Sequence, residues 1–225
     1  MGRKFIDFWV HLNPENSPEI LAKLRELGFH AAVAEFEGSS EEFRETLRQA
    51  ESMGLMLYRK LVIRVSGRRP LLSTLRENRG KYEVVSVFCE DLETALVAAR
   101  DNRVDTIIIP PEPEYRFDKG VASLLRNRVE VPFKLLIEDL ENSLKTYREV
   151  FNILARKTGV IVSSGASSTQ GLRTPWQLLS LPMIMGYSQE EALKTISDEC
   201  WSIISINLEK LSPNFIAPGV VRIGR

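Results

Sequence analysis

The sequence predicts an α/β protein whose strands close into an imperfect, TIM-like (β/α) barrel. Three observations carry that prediction. Short apolar runs alternate with amphipathic, helix-period runs about seven times along the 225 residues, the pattern of a parallel sheet with right-handed crossovers. So many repeats in one chain favour a closed barrel over an open sheet. An eighth strand is hard to find, because after a helix opening at Pro175 the chain passes Gly186-Tyr187-Ser188 and enters another helix. A barrel with about seven strands and extra helices is therefore expected, the eighth strand being missing or replaced.

The strands are expected at residues 4–10, 30–36, part of 55–65, 82–88, 105–109, 133–137 and 160–163. Ser17 can cap a helix over 18–27 that ends at Gly28, and Ser39 or Ser40 one over 41–53 that ends at Gly54. A helix over 70–78 ends near Gly80, Asp91 caps 92–102, Asp118 precedes 119–127, and 142–158 ends at Gly159. Thr174 caps a helix with Pro175 at its first position, and Ser188 with Glu191 forms a capping box for a helix over 189–208. The tail 212–225 carries Pro213, Pro218 and Gly219 and is expected to be extended. No linker divides 1–211, so these residues are expected to form one domain.

Composition narrows the function. Lys+Arg and Asp+Glu both number 30, so the chain has no bulk attraction for phosphate, although a local basic patch is compatible with neutrality. Cys89 and Cys200 are too few for a disulfide scaffold and read as reduced core thiols of a cytosolic protein. No stretch reaches the roughly 18 apolar residues of a membrane span, so a cytoplasmic protein without a membrane partner is expected.

Residues for a catalytic site are sparse. His11 and His30 are the two histidines, and the first strand lacks the H-x-H pair of metal-dependent barrel hydrolases. His11 reads as a strand-end residue making hydrogen bonds, and an Asp/Glu-only Mg²⁺ site stays open. No G-x-S-x-G or P-loop pattern occurs. Lys134, expected on the sixth strand, is a candidate Schiff-base lysine, and Glu138 and Asp139 read as a helix-start charge pair. A metal-dependent or Schiff-base hydrolase or lyase acting on a phosphorylated small molecule therefore needs Asp7, His11, Lys134 or Glu138 to converge in one pocket.

Charge distribution says more. Between Glu51 and Glu77 lie six bases and no acid: Arg59, Lys60, Arg64, Arg68, Arg69 and Arg76. The stretch between Glu149 and Glu190 is also acid-free and holds Arg156, Lys157 and Arg173, while Arg126 and Arg128 flank Asn127. Such blocks are either solvated barrel helices or a face for phosphate. Ser163-Ser164-Gly165-Ala166 follows an apolar run, and late loops of barrels often hold phosphate on backbone N–H groups. Alternatively, that loop only covers the barrel end.

The run Ser163-Ser164-Gly165-Ala166, then Arg173-Thr174-Pro175-Trp176-Gln177-Leu178-Leu179-Ser180-Leu181, then Gly186-Tyr187 and a final helix, resembles the RNase P protein component 3 family, the archaeal counterpart of the eukaryotic 30-kDa RNase P subunit. Lys4-Phe5-Ile6-Asp7 and Val104–Pro110 resemble it too. Gln177 stands where the family usually has Asp. The resemblance implies an imperfect barrel and a non-catalytic protein subunit of ribonuclease P, whose RNA removes the 5′ leader of precursor tRNA with Mg²⁺. It implies no cofactor on the protein itself. Its partners would be the RNase P RNA, precursor tRNA indirectly, and a second protein subunit of component 2 type in a heterotetramer. Arg68, Arg69, Arg126, Arg128, Ser163, Ser164 and Arg173 are the candidate RNA contacts. Duplex RNA is read mainly through phosphate and 2′-OH, so scattered cations suffice.

Overall fold

A computed structural model describes residues 3–154, 159–217 and 220–221. Seven parallel strands run in sequence order around a barrel: β1 (Ile6–Leu12), β2 (Ala31–Phe36), β3 (Met56–Ile63), β4 (Val84–Phe88), β5 (Thr106–Ile108), β6 (Arg128–Pro132) and β7 (Val160–Ser163). Around them lie α1 (Ser17–Glu26), α2 (Ser40–Ser52), α3 (Arg68–Asn78), α4 (Leu92–Arg100), α5 (Lys119–Ser123), α6 (Phe133–Glu138), α7 (Leu140–Leu154), α8 (Pro175–Ile184), α9 (Gln189–Lys194) and α10 (Asp198–Leu211). In the tail, β8 (Phe215–Ala217) pairs antiparallel with β9 (Val220–Val221).

Capping chemistry fixes several of these boundaries. Full capping boxes form at Ser39 with Glu42, Thr174 with Gln177, and Ser188 with Glu191. Asp91 and Asp118 cap α4 and α5. Ser17 does not cap α1; it lies inside the helix, and its hydroxyl donates to the Asn13 carbonyl.

Three elements differ from the sequence reading. The sixth strand is 128–132, not 133–137, and Phe133 opens a short helix instead. The apolar run 133–137 imitates a strand, whereas the true strand is interrupted by Glu130 and ends on Pro132. Lys134 therefore sits on a helix. The last helix is broken at 195–197, and the helix expected over 119–127 stops at Ser123. The end of the helix expected over 142–158 falls partly on 155–158, outside the described residues.

The break at 195–197 substitutes for the eighth strand. Val162 N–H donates to the Thr195 carbonyl at 3.2 Å, and Ile6 N–H to the Ile196 carbonyl at 2.9 Å. Two loop carbonyls thus bridge the seam, one at the third residue of β7 and one at the first residue of β1. Nearer the C-terminal ends the closure is direct: Gly165 N–H donates to the Trp9 carbonyl and His11 N–H to the Ala166 carbonyl, at 2.9 and 2.8 Å. Asp7 reinforces this seam, its Oδ1 accepting from the N–H groups of Ser164 and Trp9 at 2.9 and 3.4 Å. Gly165 has φ +66°, and a Cβ there would lie 2.9 Å from the Lys134 Cβ, so backbone geometry and space both select glycine.

Inside the barrel the side chains form layers. Ile6, Phe8, Ala31, Val33, Val84 and Ile161 pack with Cys200 and Ile204 of α10, which plugs the N-terminal end. Trp9, Val62 and Ile108 pack together with Phe88 and Leu135. A third group is polar. Lys60 and Glu130 expose no side-chain surface, and Nζ lies 2.6 Å from both carboxylate oxygens and 2.9 Å from the Phe8 carbonyl. Thr106 and Ser163 hydroxyls donate to Glu130 at 2.8 Å each, and Ser86 Oγ lies 2.6 Å from Thr106 Oγ1. Burial pulls the Lys60 ammonium below its usual range, and the Glu130 carboxylate opposes it.

Removing one member of this pair strands the other charge in the interior. Lys60→Met is expected to cost about 3–5 kcal/mol in chemical denaturation, and adding Glu130→Leu to recover most of that loss. Asp7 gives a second expectation. Burial raises its carboxyl to about 6, so the fold favours the protonated acid, and its contribution to stability falls as pH rises from about 4 to about 6. Asp7→Asn should remove that component, seen as a flatter pH dependence of the midpoint than in the wild type.

Candidate functional site

The C-terminal mouth of the barrel gathers charge from several strands. Arg64 follows β3, its guanidinium pairing with Glu35 of β2 at 2.7 Å and lying 5.6 Å from the Trp9 ring centre. Glu35 also meets His11 Nδ1 at 3.2 Å and accepts from the Trp9 indole at 3.0 Å. These groups, with Lys134, Asn13, Asn16 and Ser167, line a mouth cavity of about 560 Å³. Burial holds the His11 ring down to about 4 despite the adjacent Glu35, so the imidazole is neutral near pH 7. Burial works against the Glu35 carboxylate too, but Arg64, His11 and the Trp9 indole together hold it below the usual range.

The convergence needed for small-molecule chemistry is only partial. His11 and Lys134 share this mouth. Asp7 lies beneath it in the closing seam, fully buried. Glu138 is half-exposed on α6, 3.7 Å from Lys134. Among the described residues no group of three or more His, Cys, Asp or Glu side chains converges as metal ligands do.

The candidate phosphate contacts separate into three kinds. Arg68 and Arg69 are exposed in the first turn of α3, at the mouth. Their position costs stability, since a helix N-terminus carries partial positive charge and this first turn has no acid. Arg173 is half-buried; its guanidinium donates to the Gln170 and Leu172 carbonyls at 2.8 Å and covers the Phe133 ring at 5.5 Å, so it braces the long loop after β7. Arg126 and Arg128 lie at the opposite end of the barrel. Arg126 is exposed, whereas Arg128 is tied to Glu199 at 2.6 Å.

Ser163 and Ser164 are not at the surface. Ser163 donates inward to Glu130, Ser164 donates to the Trp9 carbonyl, and the Ser164 N–H is taken by Asp7. The stretch 163–166 closes the barrel on β1 and offers no free cradle for phosphate. Arg156 and Lys157 lie outside the described residues. Sequence reading missed Lys60 as an interior residue and did not single out Glu130 at all. Neither stood out locally, since Arg59 adjoins Lys60 in β3 and Glu130 makes 128–132 look polar.

An NMR titration of His11 should show a midpoint of about 4, and Glu35→Gln should lower it further. Because the folded value lies below the usual histidine range, the stability this ring contributes is lost as pH falls from about 6.5 towards 4.

Comparison with known proteins extends the geometry. A family model described as RNase P subunit p30 matches residues 4–211. Ribonuclease P protein component 3 of Methanothermobacter thermautotrophicus is 26% identical, over 89% of this chain and 89% of its own length. Its counterpart in Methanococcoides burtonii is 24% identical, over 97% and 93%. Among solved structures, a chain of the cryo-EM structure of archaeal Ribonuclease P with mature tRNA superposes with a TM-score of 0.82 at 20% identity, over 98% of both chains, a likeness of fold.

Proposed function

This chain belongs to the RNase P subunit p30 family, and on that premise we propose that it serves ribonuclease P by gripping the RNA backbone with its C-terminal mouth while its outer helices hold a second protein. It is a protein subunit of a ribonucleoprotein endoribonuclease that removes the 5′ leader of precursor tRNA. The RNA carries the chemistry. The observation that carries the reading is the family match over residues 4–211, on a barrel whose interior is filled by Lys60 and Glu130.

Arg68 and Arg69 are the phosphate contacts. Their placement against the helix dipole supports this role, because local stability alone selects acids there. Arg64, paired with Glu35, and Lys134, beside Glu138, lie across the same mouth. Precursor tRNA is met indirectly, through the RNA subunit. Mg²⁺ is expected to serve the RNA-catalysed reaction, with no cofactor on the protein itself. Among the described residues no helix is long and apolar enough to cross a membrane, and the assembly works in the cytoplasm.

The protein partner is a component 2-type subunit, joined in a heterotetramer. Support comes from α8, where residues 174–189 carry no charge and Trp176 and Ile184 are 62% and 76% exposed. An uncharged apolar face suits protein, not phosphate.

Purifying the tagged chain from its own cells at moderate salt should bring down one abundant structured RNA together with precursor-tRNA cleavage; a clean protein without RNA would overturn the reading. In binding to that RNA, Arg68→Ala and Arg69→Ala should each weaken affinity and reduce the log–log salt slope by about one unit. Arg173→Ala should instead lower stability, through loss of its loop contacts.

A further inference from the structure

The end of the barrel opposite the mouth holds a second site that the backbone-gripping role does not use. A groove of about 450 Å³ runs between α10 and the starts of β5 and β6, within the size range of small-ligand sites. Arg126 is exposed at one side, and Lys210 lies in the last turn of α10. Neither forms an ion pair among the described residues. The other charges of the groove are already occupied: Arg128 pairs with Glu199, and Asp105 is held by Arg79 and accepts from Asn207. Two cations are thus left for an anion.

The rest of the lining suits a planar, hydrogen-bonding group. Half-buried Phe215 and 48%-exposed Ile206 give it an apolar wall. Asn127 is 4% exposed; its amide N–H donates to the Ala98 carbonyl at 2.8 Å, and its Oδ1 has no partner. A buried amide oxygen left in this way costs stability unless a donor reaches it. Aromatic surface, cations and side-chain amides together are how proteins hold unpaired bases, whose faces stack and whose edges carry donors. A duplex cannot use such a groove, because its bases are stacked inside.

We propose that this groove holds one unpaired ribonucleotide of a single-stranded RNA segment, with its base against Phe215, its edge towards Asn127, and its phosphate on Arg126 and Lys210. The inference rests on the reading of the chain as an RNA-bound subunit. It makes the barrel a bridge, with duplex backbone at one end and a single strand at the other.

The test is fluorescence anisotropy of the full chain with two labelled probes, an unstructured hexaribonucleotide and the ribonuclease P RNA of the same cells. Phe215→Ala is expected to weaken hexamer binding at least about fivefold, and Phe215→Trp to retain it. Arg126→Ala should lower the hexamer salt slope by roughly 0.7 unit. Arg68→Ala should leave the hexamer unaffected while weakening the long RNA. Wild-type hexamer affinity in both Phe215→Ala and Arg126→Ala, or no hexamer binding at millimolar protein, would overturn the groove assignment. If the ribonuclease P RNA still binds in that case, only the groove proposal falls. If neither RNA binds, the RNA-subunit reading falls with it.

Discussion

Lys60 and Glu130 meet at 2.6 Å inside the barrel with no solvent on either side, and the remaining architecture is arranged so that this is tolerable. Two charges taken from water cost several kcal/mol each, and the cost is offset only if every donor and lone pair finds a partner. The strands supply those partners. Lys60 comes from β3, Glu130 from β6, and the Phe8 carbonyl from β1. Thr106 and Ser163 come from β5 and β7, with Ser86 of β4 behind Thr106. Six of the seven strands therefore contribute to one polar layer. A one-residue slip in β3 or β6 would carry a charge to the outside of the sheet and leave its partner alone, so the pair specifies register as well as filling space. It fills the interior, as packed side-chain layers do in barrels generally. Charged groups available to a ligand are displaced to the rims.

The second constraint is closure with too few strands. Between β7 and β1 the sheet lacks a full ladder and uses two substitutes. Loop residues 165 and 166 pair with β1 near the mouth, and the carbonyls of Thr195 and Ile196 reach in near the base. An extra residue in β1 shifts its register against β2 between Asp7 and Val10, the local bend of a bulge. Asp7, beside that bulge, turns its carboxylate to the Ser164 N–H. Small residues at 163–166 are thus selected by the seam: a hydroxyl for Glu130, a hydroxyl and N–H for β1, a left-handed glycine, and an alanine at the bridge.

Legibility in the sequence followed the range of each interaction. Several boundaries set within four residues could be read directly, as at the Ser188–Glu191 capping box and the Thr174 cap, because capping is local chemistry, although Ser17 proved to lie inside α1. The barrel could be read from alternation of elements, and the missing eighth strand from Gly186-Tyr187-Ser188 running into a helix. The sixth strand could not, because Val129-Glu130-Val131 looks polar until Lys60, 70 residues away, is known to face it. Ser163 and Ser164 looked available for the same reason, since their partners lie on β6 and β1. Exposure of Arg68, Arg69 and Arg126 agrees with reading them as surface cations. Their separation onto opposite ends depends on strand order and had no local signal. Resemblance to a family supplied the function that spacing alone left open.

The seam has a consequence for synthesis. Among the barrel strands β1 is made first, yet it is held by Ala166 and Ile196, and the indole of Trp201 donates to the Lys4 carbonyl. At roughly 5–20 residues per second, translation leaves that strand without its closing partners for about ten seconds or more. During this interval its hydrophobic inner face, Ile6 and Phe8, waits for α10 as well. The barrel can be completed only when the C-terminal segment has left the ribosome, so a nascent chain stalled between residues 166 and 196 can pair its mouth yet presents an open base to whatever chaperone surveys it.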